Sequence, residues 1–199
     1  MPTPLILASG SVIRAELLCR AGLAPDIRPA RIDEDAIRLA LLSEGTPPRD
    51  IADALAEQKA RKVSQRSPGA LVLGCDQLLV HDGKILAKPQ SVEEARHQLR
   101  RLRGARHRLL SAAVLYRDGA PVWRHIGEAE LEMRDFSDRY LEDYLKRNWP
   151  SLADTVGGYK LEEEGVRLFS RVDGSWFVVL GLPLIELLSV LTRRGDIDG

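Results

Sequence analysis

One carboxylate interrupts an otherwise apolar run in Leu71-Val72-Leu73-Gly74-Cys75-Asp76-Gln77-Leu78-Leu79-Val80. An unpaired acid is costly to bury in such a strand. Asp76 is therefore either hydrogen-bonded for structural reasons or set at a cleft where its charge is used. The acids Asp33, Glu34 and Asp35 read by themselves as a solvated loop. Paired with Asp76 they would offer the hard oxygen ligands that a divalent cation takes together with shared phosphates. Lys88, just before Pro89, is expected near Asp76 because an Asp82-Gly83 turn folds its segment back; the plain outcome is a salt bridge, the chemical one a ligand phosphate held between Lys88 and a metal. Ser9-Gly10-Ser11 gathers backbone N–H groups, hydroxyls and a helix N-terminus, with Arg14 one turn later, and such a grouping can cradle a phosphate. The alternative there is a simple strand-to-helix turn with a serine cap, since no G-x-x-x-x-G-K-[ST] pattern is present. Glu162-Glu163-Glu164 reads as a charged face unless Gly157 and Gly158 bring its backbone close to a ligand.

The background composition narrows the partners. In 199 residues, 29 Lys and Arg balance 29 Asp and Glu, so no long-range field draws in nucleic acid or an anionic membrane, and an anionic ligand has to be held by a local cluster. Met1 to Gly10 has no basic leader region, which argues against a signal or transit peptide. Cys19 and Cys75 lie outside any C-x-x-C pattern and read as small buried hydrophobes in a reducing cytoplasm. His81, His97, His107 and His125 lack the H-x-H or H-E-x-x-H spacing of a zinc site. With no repeat and no long Gly/Ser linker, residues 1–199 read as a single domain.

The elements that must position these residues alternate only in part. Leu5 to Ala8 is a short buried strand, and Ser11 caps a helix that directs Leu17 and Leu18 to the core and stops at Gly22. An extended piece near Ile27 and a short helix around Ile37 to Leu42 follow. Arg49 to Gln65 carries Ile51, Ala54 and Leu55 at helical spacing, placing Lys59 on a helix. Beyond the Asp76 strand and its hairpin through Ile85-Leu86, Ser91 and Glu94 form a capping box for a helix that ends near Arg103. Strands over Arg108 to Tyr116 and Val122 to Met133 flank an Asp118-Gly119 turn, and a helix covers Asp138 to Arg147. Further strands are expected near Val166 to Arg171 and Trp176 to Leu180, across Asp173-Gly174, before a C-terminal helix after Pro183. Frequent hairpins predict a mixed sheet in an α/β fold.

Taken in order, several stretches resemble the Maf proteins, nucleoside triphosphate pyrophosphatases linked to inhibition of septum formation. The matching stretches are Leu5 to Ser11 with Arg14, Ala56 to Ala60 around Lys59, Gly74-Cys75-Asp76-Gln77, Lys88-Pro89, Gly157-Gly158-Tyr159 and Gly181-Leu182-Pro183-Leu184. They span nearly the whole chain. The resemblance implies an α/β fold, an elongated mixed twisted sheet with flanking helices around a central cleft, similar to inosine triphosphate pyrophosphatases, and often a homodimer. It also implies hydrolysis of a nucleoside triphosphate to monophosphate and pyrophosphate with a divalent cation, Mg²⁺ or Mn²⁺. Asp76 then matches the proton acceptor and Glu34 the second acid, the two also holding the metal. Ser9, Ser11, Arg14, Lys59 and Lys88 match the substrate-binding, phosphate-facing positions.

Val12 and Ile13 stand where the family's S-x-S-P-R-R pattern has Pro and Arg. Gln77 stands where many members have Thr, and Glu162 where many have Gln. The positions of Ile13, Gln77 and Glu162 are associated in the family with substrate choice, and Asp-Gln with a downstream Glu resembles the subfamily acting on 7-methyl-GTP. The expectation is a cytoplasmic enzyme that binds neither nucleic acid nor membrane. The rival expectation is a nucleotide-binding regulator of cell division that works through a partner.

Overall fold

The computed structural model describes residues 4–198, so Met1 to Thr3 of the N-terminal reading and Gly199 of the expected domain lie outside the described residues. In chain order the elements are β1 (Leu5–Leu7), α1 (Val12–Arg20), β2 (Asp26–Ile27), α2 (Glu34–Ser43), α3 (Pro48–Ser64), β3 (Leu71–His81), β4 (Lys84–Leu86) and α4 (Val92–Leu102). They continue with β5 (Arg106–Arg117), β6 (Ala120–Met133), α5 (Asp138–Asn148), β7 (Phe169–Asp173), α6 (Trp176–Val179) and α7 (Leu184–Arg194).

The strands form one mixed sheet of seven in the order β2-β1-β3-β5-β6-β7, with β4 paired to β3. β1 runs parallel to β2 and β3, while β4 and β7 pair antiparallel with β3 and β6. This is the expected α/β class with a mixed sheet and flanking helices. No helix of the described residues is long and apolar enough to cross a membrane.

Two compact units share the chain. The first takes the residues up to Gln77, Ser111–Gly127 and the residues from Ser175 on; the second takes Leu78–Leu110 and Glu128–Gly174. In the first unit Leu7, Leu18, Leu73, Leu115, Leu182 and Leu187 belong to one buried cluster, where the apolar stripes of α1 and α7 meet the strands. α3 buries Ile51, Leu55, Ala56, Ala60 and Val63 at the spacing of one helical face, and Lys59 falls on that face. In the second unit α4 buries Ala95, Leu99 and Leu102, and Arg96 reaches Glu142 of α5 through two bonds of 2.7 and 2.9 Å. His107 lies within a buried aromatic group with Tyr159 and Phe169.

Four expectations need correction. Trp176–Val179 is a short helix instead of a strand, because a four-residue apolar run carries no period, and the carbonyls of Val178 and Val179 find donors on Gln77 and Ser111. Glu164–Leu168 is a tight 3-10 helix, and the strand there begins only at Phe169; Glu164 is tied to Arg147 and Asn148 of α5, which holds the chain in turns. The acids at 33–35 are not a loop: Asp33 accepts the Ala36 N–H at 3.0 Å and opens α2, whose first residue is Glu34. Cys19 is exposed on the outer face of α1, and only Cys75 is buried.

Candidate active site

The site grows from a close approach of β3 to α3. A Cβ on Gly74 would collide with the Ala56 carbonyl and the Ala60 nitrogen, so only glycine lets the strand lie against the helix backbone. That approach sets Asp76, two residues along β3, beside Lys59, one residue before Ala60. Lys59 Nζ lies 2.7 Å from Asp76 Oδ1 and 2.9 Å from Glu34 Oε2, and within 3.5 Å of the Cys75 carbonyl. Asp76 and Lys59 are only 6% and 7% exposed, whereas the Glu34 side chain is 48% exposed. A buried lysine thus joins an interior acid to one that reaches solvent.

Burial pushes the Asp76 carboxyl above the ordinary carboxylate range, the neighbouring Glu34 charge adds to this, and the Lys59 and Arg14 cations oppose it. Lys59 Nζ donates to Asp76 Oδ1, while Oδ2 has no hydrogen bond among the described residues. The Cys75 thiol, in contrast, is pushed up to about 11 by burial, so it stays protonated and inert.

A divalent cation would draw on the same two carboxylates that hold the Lys59 ammonium. Asp76 and Glu34 place carboxylate oxygens within 2.9 Å of one point, the Lys59 nitrogen. No group of three or more His, Cys, Asp or Glu is gathered among the described residues. Water and substrate oxygens would have to complete the shell, the usual arrangement for Mg²⁺.

Arg14 is braced rather than free. Its Nε donates to the Gly181 carbonyl at 2.8 Å, and its Nη1 donates to Ser9 Oγ at 3.2 Å and the Cys75 carbonyl at 3.3 Å. Ser9 Oγ also accepts the Ser11 N–H at 3.3 Å, and Ser11 Oγ caps Arg14 N at 3.5 Å, as expected of the helix cap. The turn therefore satisfies part of its own polarity, and the buried Arg14 carries its cationic charge.

The expected residues divide between the two units. Ser9, Ser11, Ile13, Arg14, Glu34, Lys59, Asp76 and Gln77 belong to the first, with Ile13 half-buried against the core cluster. Lys88 and Glu162 belong to the second, both exposed, and neither makes an ion pair among the described residues. The salt bridge expected between Lys88 and Asp76 is replaced by Lys59, because packing of β3 on α3, not the hairpin, supplies the cation. Glu163 and Glu164 are ordinary charged-face residues paired with Lys160 and Arg147, and Glu162 is not. Sequence reasoning missed Gly74, the Gly181 and Cys75 carbonyls, and Ser111. An isolated glycine inside a strand pattern is a known signal of close backbone approach and could have pointed to Gly74.

The α/β fold thus brings together a buried acid–lysine pair, a second acid that reaches solvent and a braced arginine. The family model described as Maf-like protein matches residues 4–194, and the chain belongs to that family. It is 60% identical to a nucleoside triphosphate pyrophosphatase of Roseobacter denitrificans over 99% of each chain, and 59% identical to one of Ruegeria pomeroyi over the full length of both. A 7-methyl-GTP pyrophosphatase of Mesorhizobium japonicum is 44% identical over the full length of both.

Proposed function

We propose that this protein is a nucleoside triphosphate pyrophosphatase, a hydrolase of acid anhydrides that acts in the cytoplasm. The observation that carries the reading is the buried Asp76 carboxylate, paired with Lys59 and linked through it to Glu34. Water attacks the α-phosphorus while Asp76 takes its proton, the bond from the α-phosphorus to the bridging oxygen breaks, and pyrophosphate leaves. Lys59 and Arg14 face the phosphates and offset the charge that grows on the leaving group, with Ser9 and Ser11 at the same helix start as Arg14. Asp76 and Glu34 would hold a Mg²⁺ or Mn²⁺ ion, which would supply Lewis-acid stabilisation of that charge. A raised carboxyl suits the base role, since a base of higher pKa takes a proton more readily.

Base choice is assigned to Glu162. Guanine presents its N1–H and amino group side by side, and one carboxylate accepts from both; glutamine offers one acceptor and a competing donor. Uracil and thymine flank one N–H with carbonyls, which a carboxylate repels. A 7-methyl group makes the ring cationic and strengthens the attraction. The exposed, unpaired Glu162 supports a preference for 7-methyl-GTP or a related modified purine.

The test is a panel of standard and modified nucleoside triphosphates with Mg²⁺ or Mn²⁺, detecting pyrophosphate. Monophosphate and pyrophosphate are expected, with 7-methyl-GTP ahead of UTP and dTTP and Glu162→Gln eroding that order in kcat/KM. Nucleotide binding without pyrophosphate release would instead support a regulator, and a wild type that prefers UTP or dTTP would remove Glu162 from base choice.

A further inference from the structure

Gln77 follows Asp76 on β3, and its side-chain nitrogen lies 3.0 Å from Ser111 Oγ, 3.1 Å from the Val178 carbonyl and 3.0 Å from the Val179 carbonyl. Backbone carbonyls only accept, so the amide is oriented with its N–H groups toward α6. The Val178 carbonyl also takes the Ser111 hydroxyl at 2.7 Å and the Gly181 N–H at 3.0 Å. A helix of four residues has too few internal bonds to hold its own place, so its C-terminal carbonyls are fixed from β3 and β5.

What α6 delivers is the next residue of the site. Gly181, at φ 91°, turns its carbonyl onto Arg14 Nε at 2.8 Å. A Cβ there would stand 3.1 Å from the guanidinium, and the left-handed backbone would strain any side chain, so glycine suits the position. A continuous chain of contacts thus runs from Gln77 and Ser111 through the Val178 and Val179 carbonyls to Gly181 and Arg14.

We propose that Gln77 and Ser111 are positioning residues for Arg14: they anchor α6 so that the Gly181 carbonyl aims the guanidinium beside Asp76. This rests on the pyrophosphatase reading, in which Arg14 faces substrate phosphate. Both Gln77 N–H groups are engaged by protein acceptors, so its donors serve α6 and, through it, Arg14.

The experiment is a double-mutant cycle in kcat/KM, followed by pyrophosphate release from the best nucleotide of the panel. Gln77→Met keeps the length of the side chain and removes its donors; it should lower kcat/KM by about 10²-fold, the scale of a misplaced group about 1 Å from its working position. In an Arg14→Ala background the same substitution should cost no more than about threefold, because the group it positions is gone. In a Lys88→Ala background its full cost should remain. Equal losses in both backgrounds would overturn the proposal, as would an unchanged kcat/KM for Gln77→Met alone. Should Gln77→Met fold poorly, Ser111→Ala removes a single hydroxyl and serves in the same cycle with the same expected coupling. A wild type that turns over no nucleotide overturns the pyrophosphatase reading and this inference with it; an active wild type with an additive cycle overturns this inference alone.

Discussion

Asp76 and Lys59 answer to substitution in different ways. Asp76→Asn keeps the shape but accepts no proton and holds no cation charge, so turnover should fall by about 10²–10⁴. Lys59 keeps Glu34 as its counter-charge in that variant, so the urea midpoint should change little. Lys59→Met instead takes away the nearest cation from a carboxyl already raised by burial. Ionisation of Asp76 then becomes harder, its pKa rises further, and the acid limb of the kcat/KM profile should move to higher pH. An unmoved limb would mean that another group is the base. Asp76 was legible in the sequence because a lone acid inside an apolar strand asks for a reason. Its partner was not: the DG hairpin is a local signal and pointed to Lys88, whereas Lys59 comes from a helix whose contact with β3 depends on tertiary packing.

The strand and helix that create this contact meet through Gly74, so the element-level prediction is made there. Gly74→Ala drives a methyl into the α3 backbone, and neither partner has a flexible side chain to yield. The expected cost is about 3 kcal/mol in urea unfolding, the upper part of the range for overpacked sites. Turnover should fall with it as Asp76 and Lys59 are pushed apart, and an alanine variant of wild-type stability would show that β3 can shift freely. Elements with strong local signals were readable from the sequence. Ser91 accepts the Glu94 N–H at 3.1 Å as the capping pattern implies, although Glu94 reaches back to the Gln90 N–H instead of Ser91. The α6 helix was unreadable because its support is supplied by Gln77 and Ser111, distant in sequence, and a strand pattern fits the same apolar run.

Stability of the whole molecule should carry the mark of His107. Its Nε2 sits 2.7 Å from the Tyr159 hydroxyl, Nδ1 has no partner among the described residues, and burial, aided by the neighbouring His81, lowers its pKa to about 3. The unfolded chain binds this proton near pH 6.5 and the folded one does not, so stability is full above pH 6.5 and declines as pH falls toward about 3. The slope from this group approaches about 1.4 kcal/mol per pH unit. Urea unfolding between pH 7 and 4 checks it, and a His107→Gln variant should show a flatter curve; equal slopes would show that His107 is protonated in the folded protein. The contrast between the two cysteines gives a practical handle of another kind. Cys19 is exposed, while Cys75 lies in the interior with its thiol held protonated. A maleimide dye should therefore attach at one position on the native enzyme and at two after denaturation, which equips the unmodified protein with a single reporter on α1, the helix that carries Arg14.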